Sequence, residues 1–145
     1  MGDTGAQRQA VDPHPAASPA RLTLAPVAGA YAVCRLEPDA PRPAWAAGGL
    51  FTSITRTADE VSVVCEQSAV PPGVQSEPGW RCLRVAGTLD FAQVGVLAGL
   101  VDPLAAAVVS VFVVSTFHTD YLLVKEGDLQ RALAVLRQHG HTVED

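Results

Sequence analysis

Apolar residues along the chain change rhythm several times, and each change marks a predicted element. Phe51 to Arg56 and Val61 to Glu66 are β-branched runs on either side of polar Thr57-Ala-Asp-Glu60, the pattern of an antiparallel hairpin. Leu22 to Leu24 and Tyr31 to Leu36 read as two short strands separated by a turn around Pro26 and Gly29. Pro43-Ala-Trp-Ala-Ala-Gly48 allows at most a short helix, with proline at its first turn and glycine at its end. Ala69 to Gly79 holds three prolines and two glycines without periodicity, which predicts a connection and the end of a first half.

The second half opens with a strand from Trp80 to Val85. A helical segment follows over about 91–107, which Asp102-Pro103 should kink or interrupt. Val108 to Ser115 is a near-continuous apolar strand, joined by a polar hairpin turn to Tyr121 to Lys125. Leu129, Ala132, Leu133 and Leu136 stand at i, i+3, i+4 and i+7, so four apolar side chains share one helical face. Asp128 is the expected N-cap and Gly140 the expected glycine just past the helix, with Arg137 and His139 at the negative end of its dipole. His141 to Glu144 would add an edge strand. This order, strand, helix, strand, strand, helix, strand, is that of an α+β, ferredoxin-like fold: an antiparallel sheet with both helices on one face.

A weak internal repeat points to duplication. Thr57 to Val64 parallels His118 to Val124 if Glu60 is a one-residue insertion. The expected organisation is a tail over 1–20, a degenerate module over 21–78 without a counterpart of the terminal helix, and a well-formed module over 79–145.

Composition narrows the function. With 48% apolar and 17% charged residues the chain has the means to bury a core. A net charge of -5 and scattered lysines and arginines give no footprint for nucleic acid. The proline-bearing first twenty residues lack the apolar run of a signal peptide, and Leu104 to Val114 is too short to span a membrane, so neither export nor an anchor is expected. Cys34, Cys65 and Cys82 lack metal or redox spacing and sit in apolar stretches, which suits buried thiols in a reducing cytoplasm.

Nothing in the sequence supports catalysis. His139 and His141 are two apart without a carboxylate or cysteine to complete a metal set, and no nucleophile elbow, P-loop or dinucleotide motif occurs. No cofactor is expected.

Three segments carry a family resemblance: Phe51-Thr-Ser-Ile-Thr-Arg-Thr-Ala-Asp-Glu-Val-Ser-Val-Val64, Gly95-Val-Leu-Ala-Gly-Leu-Val-Asp-Pro-Leu104 and Ser110-Val-Phe-Val-Val-Ser-Thr-Phe-His-Thr-Asp-Tyr-Leu-Leu-Val124. Together they resemble the bacterial tandem-ACT proteins related to the CASTOR-type and aspartate-kinase-like amino-acid sensors. The resemblance implies ferredoxin-like ACT modules in tandem that bind an amino acid where two modules meet, and regulate a partner. It implies ligand contacts at Ser110 and Val111 on a strand and at Thr116, Phe117 and Asp120 in a turn. Two departures stand out: His118 replaces a more usual Asp or Gln, and the glycine that commonly precedes the strand is absent from Ala105-Ala-Ala-Val-Val109.

A zwitterion needs a fixed acceptor for its ammonium and N–H donors for its carboxylate. Asp120 suits the first and the helix start at Gly95 and Val96 the second, with Ser115, Thr116 and Thr119 offering hydroxyls and Phe117 a wall. Asp120 reads equally well as a residue that merely hydrogen-bonds its own turn. The alternative function is a module that only dimerises through a sheet edge; both readings expect a homodimer.

Overall fold

In the computed structural model, residues 21–87 and 95–145 are described. Seven strands form one curled sheet: β1 (Thr23–Leu36), β2 (Ser53–Arg56), β3 (Val61–Glu66), β4 (Gln75–Val85), β5 (Val111–Ser115), β6 (Asp120–Lys125) and β7 (Thr142–Val143). Among the described residues two helices, α1 (Val96–Ala106) and α2 (Leu129–Gln138), join it in an α+β fold. The order across the sheet is β2-β3-β1-β4-β6-β5, with β7 on the far flank of β1.

That order is a palindrome. β1, β2 and β3 form a unit whose first strand pairs with the first strand of a like unit, β4, β5 and β6. The two hairpins align without a gap at a spacing of 59 residues: Thr57 N–H donates to the Glu60 carbonyl at 2.9 Å, and Thr116 N–H to the Thr119 carbonyl at 2.8 Å. β3 and β6 share one burial pattern, and each leads into a 3-10 turn, Gln67–Ala69 or Glu126–Asp128. The insertion expected at Glu60 is therefore absent: Thr57 corresponds to Thr116 and Val61 to Asp120. After the first 3-10 turn the chain goes straight to β4; after the second it continues into α2.

The two short strands expected over 22–36 are one long strand. The turn predicted between them is a bulge in the β1–β4 ladder, where four steps from Val27 to Tyr31 face two from Cys82 to Trp80, with Gly29 at φ +103°. Pro26 is tolerated because strand alternation aims its amide position away from β4, past the end of β7 and short of β3. Likewise β4 begins at Gln75, inside the expected connection, because Pro78 and Gly79 (φ +85°) form a second bulge between Glu77 and Trp80. Lys125 fixes it by donating to the Pro78 carbonyl at 2.9 Å while lying 4.6 Å from the centre of the Trp80 ring. The border expected between 78 and 79 falls within β4.

Three apolar clusters fill the two faces. Under α1 and α2 lie Leu24, Leu83, Val85, Leu122 and Val124 with Leu100, Leu104, Ala132 and Leu136 from the helices. On the opposite, concave face Tyr31, Trp80, Cys82 and Leu123 gather around Phe51, whose ring meets Tyr31 edge-on at 6.1 Å and Tyr121 at 4.6 Å. The first unit has its own cluster, in which a 3-10 turn at Ala44–Ala46 covers Ala32, Cys34, Val61, Val63 and Cys65 in place of helices.

Of the kink or interruption expected at Asp102-Pro103, the interruption does not occur: α1 runs through Pro103. Proline deprives the Gly99 carbonyl of its usual i+4 donor. His141, buried after the turn that follows α2, takes that place: its Nε2 lies 3.1 Å from the Gly99 carbonyl, while its Nδ1 accepts the Leu22 N–H at 3.2 Å. The accepting Nδ1 fixes the tautomer with the proton on Nε2. The part of the expected helix over 91–94 lies outside the described residues.

Both helices close with paired carbonyl-capping bonds. In α2, Gly140 N–H reaches the Arg137 carbonyl and His141 N–H that of Leu136, with Gly140 at φ +92°, as the sequence predicts. In α1, Val108 N–H reaches Ala105 and Val109 N–H reaches Leu104, which puts Val108 in the glycine position at φ +60° and 82% exposed. The strand expected from Val108 consequently begins only at Val111. Asp128 occupies the N-cap position of α2 but makes no side-chain capping bond; its carboxylate accepts from Arg131 at 2.9 Å, and the preceding 3-10 turn runs directly into the helix. β7 forms the expected edge strand, and it is parallel to β1, the one exception to antiparallel pairing among the described strands.

Candidate functional site

The turn between β5 and β6 is built by two threonines. Thr116 Oγ1 donates to the Thr119 carbonyl at 3.0 Å and accepts the Thr119 N–H at 3.3 Å, which closes the loop without a glycine. Thr119 is buried, and its hydroxyl donates to the carbonyl of Val85, the last residue of β4, at 2.6 Å. This bond pins the turn to the point where the chain leaves β4 on its way to α1. Because α1 ends four residues before β5 begins, its first turn must lie at the same end of the sheet as the 116–119 turn.

Asp120 starts β6. Strand alternation places it with Leu122 and Val124 on the helix-covered face, where it is only 9% exposed. It does not bond its own turn, which Thr116 already satisfies, and among the described residues no donor meets its carboxylate. Val61, its counterpart in the first hairpin, is fully buried core. The fold thus asks for an apolar side chain at this position and receives a carboxylate.

A second difference lies beside it. Arg35 in β1 pairs with Glu37 at 3.1 Å and Glu60 at 3.7 Å. The ladders match Arg35 with Arg84 of β4, and Thr119 stands where Glu60 does. Arg84 therefore loses that carboxylate and enters no ion pair among the described residues; it projects on the concave face, opposite Asp120.

Of the sequence-predicted site residues, Ser115, Thr116, Phe117, Thr119 and Asp120 share the β5–β6 turn and its flanks, at the end of the sheet where α1 starts. Ser115 pairs with Asp120, and Phe117, 74% exposed, meets His118 edge-on at 5.1 Å. Gly95, at φ +82°, precedes α1 with space around its Cα, and Val96 opens the helix. Ser110 and Val111 are not in this group: they sit at the other end of β5, about 14 Å away at roughly 3.4 Å per residue.

Sequence reasoning passed over a groove of about 390 Å³ between the open edge of β5, at Phe112 to Ser115, and the concave side of β2 and β3, at Ser53, Thr55, Ser62 and Val64. Only the curl of the sheet brings these segments together, so no local signal could have marked it. The three cysteines are free and buried. Burial raises Cys34 above its usual range, Cys65 to about 11 and Cys82 to about 12, so at neutral pH they are protonated thiols and weak nucleophiles. Among the described residues no cluster of His, Cys, Asp or Glu could hold a metal, and no helix is long and apolar enough to cross a membrane.

Comparison with known proteins fits this geometry. An ACT domain model matches residues 75–138, and a separate N-terminal domain model matches residues 29–73. A protein of solved structure from Agrobacterium tumefaciens is 39% identical over 86% of this chain and 93% of its own, with a TM-score of 0.83. The regulatory subunit of aspartate kinase from Thermus thermophilus shares the fold at 12% identity, over 78% of this chain and 93% of its own, with a TM-score of 0.57. The human cytosolic arginine sensor for mTORC1 subunit 1 is 41% identical over 64 residues, which are 42% of this chain. The match covers 20% of that sensor, so the chain spans about a fifth of the curated relatives' length. The chain belongs to one family with the Agrobacterium tumefaciens protein and carries an ACT domain over residues 75–138.

Proposed function

We propose that this chain is a regulatory amino-acid-binding protein, not an enzyme, and that its ligand sits at the end of the sheet between Asp120 and the first turn of α1. The observation that carries this reading is the contrast between Asp120 and Val61. Where the repeat has a core valine, Asp120 presents a carboxylate that meets no donor among the described residues, an acceptor that a bound ammonium would engage. The ligand carboxylate would take the free N–H groups at Gly95 and Val96, where the helix dipole is favourable. Ser115, Thr116 and Thr119 border the ligand and Phe117 walls it.

Ser110 and Val111 are too far along β5 to touch the same molecule within one chain. They reach it only if a second module packs against the site, so the reading places the ligand at an ACT–ACT interface of a homodimer. The arginine sensor and the aspartate kinase regulatory subunit are regulatory proteins by name, which supports the class of function, and the sensor is named cytosolic, which favours the cytoplasm here too.

Thermal unfolding against each proteinogenic amino acid tests the proposal. Ligand at about 100 times its Kd adds about 2.7 kcal/mol, enough to raise Tm by several degrees. The expected result is a rise with one or a few related amino acids, lost in Asp120→Ala and in Asp120→Asn. Equal rises in the parent and both variants would show the ammonium contact to be wrong; no rise with any amino acid, in a chain that still dimerises, would favour a purely structural module.

A further inference from the structure

The first unit carries a cavity of its own. It measures about 490 Å³ and lies between the strap over 42–52 and β2, lined by Arg42, Ala46, Gly48, Thr52, Ile54 and Arg56. It is on the face of β2 opposite the concave groove, since Ile54 packs with the cluster under the strap while Ser53 and Thr55 line the groove. In the internal repeat Arg56 corresponds to Ser115, so the cavity is the first unit's counterpart of the end of β5 where the proposed amino-acid site lies.

Its chemistry is the reverse of that site. Both charged residues that line it are arginines, and no carboxylate does. Arg56 is held in place by two backbone carbonyls, Pro38 at 2.5 Å and Ala40 at 2.6 Å. A guanidinium has five N–H donors, so three remain, and carbonyls leave its charge uncompensated. Arg42 enters no ion pair or hydrogen bond among the described residues. Both arginines are exposed, and with no carboxylate in the lining their guanidiniums are the charged groups at the cavity. Thr52, whose hydroxyl donates to the Gly48 carbonyl at 2.7 Å, and apolar Ile54 and Ala46 form the remaining wall.

We propose that this cavity is a second ligand site, for a small organic or inorganic anion, phosphate or carboxylate, gripped by Arg42 against the fixed guanidinium of Arg56. It does not use Asp120, so it stands apart from the amino-acid site.

Thermal unfolding and calorimetric titration with inorganic phosphate and with succinate, against sodium chloride at matched ionic strength, decide the matter, because chloride removes general screening from the comparison. The expected result is that at least one of the two anions binds beyond the chloride control, and the tighter one names the class. Arg42→Gln should weaken that binding by about tenfold or more and Arg42→Glu abolish it, with the unliganded Tm unchanged since Arg42 braces nothing described. Asp120→Val should bind the anion as the parent does. Binding no better than chloride for both anions, retention within about twofold in Arg42→Gln, or loss in Asp120→Val would each overturn the proposal.

Discussion

The hairpin β2–β3 and the hairpin β5–β6 are the same device built twice, and their differences separate what the fold requires from what it does not. Both turns close through a threonine at the first loop position, Thr57 or Thr116. Both inner strands bury the same positions. Against that shared frame, the exchange of Val61 for Asp120 and of Glu60 for Thr119 is chemical, not architectural. The first hairpin spends its polar groups internally, pairing Glu60 with Arg35. The second leaves a carboxylate and a guanidinium without partners among the described residues, at the end where α1 begins.

The largest effect expected from breaking this comparison is in the swaps themselves. Val61→Asp puts an unpaired charge into a fully buried site and should cost about 3 kcal/mol or more, seen as a fall in the urea midpoint or as failure to fold. Asp120→Val, the reciprocal change, should leave stability within about 1 kcal/mol of the parent or raise it, while ligand binding is lost. If both swaps proved equally damaging, Asp120 would be a structural residue and the contrast would carry no function.

Next in size is the support of α1. His141→Ala strands the Gly99 carbonyl and the Leu22 N–H, at about 1–3 kcal/mol for each buried group. In a Pro103→Ala background residue 103 regains the N–H that α1 lacks, so the His141→Ala penalty should shrink by about 1 kcal/mol in a double-mutant cycle followed by urea unfolding. Strict additivity would mean that His141 does not act by replacing the proline's missing donor.

The two helix ends supply a smaller contrast. Val108 pays for a left-handed backbone that Gly140 adopts freely, so Val108→Gly should stabilise by up to about 1 kcal/mol and Gly140→Ala destabilise by a similar amount, read as opposite shifts in Tm.

Alkali gives the mildest test. The thiols of Cys65 and Cys82 are raised in the folded chain from 9.0 to about 11 and 12, and the Tyr31 hydroxyl from 10.0 to about 12, in each case chiefly by burial. Above pH 9 the unfolded chain releases these protons first and binds fewer than the native chain, so stability is full below pH 9 and falls as pH rises toward 12. Cys82→Ala should flatten the slope of stability between pH 9 and 11.

How far the sequence revealed this molecule follows the range of the forces involved. Elements set by local pattern were legible: the hairpin over 51–66, the stripe of Leu129, Ala132, Leu133 and Leu136, the glycine cap at 140. Elements that depend on a distant partner were not. The bulges at 28–30 and 78–79 read as loop because proline and glycine usually end strands, and only the β1–β4 ladder shows them inside one. Pro103 read as a kink or interruption because nothing local announces a histidine 38 residues later that makes its lost donor good. Asp120 was legible as a candidate, but its unusual burial appeared only when the repeat was registered correctly against Val61. The curl that makes the 390 Å³ groove, and the strap that makes the Arg42 and Arg56 cavity, are invisible to any window of sequence.

Amide hydrogen exchange with and without a mixture of the proteinogenic amino acids tests the central claim most directly, because it reads both hairpins at once. Slower exchange at 115–121 and in the first turn of α1, with 56–62 unchanged, is the result expected if the second hairpin alone carries the amino-acid site. Equal protection of both hairpins, or no change in either, would contradict it.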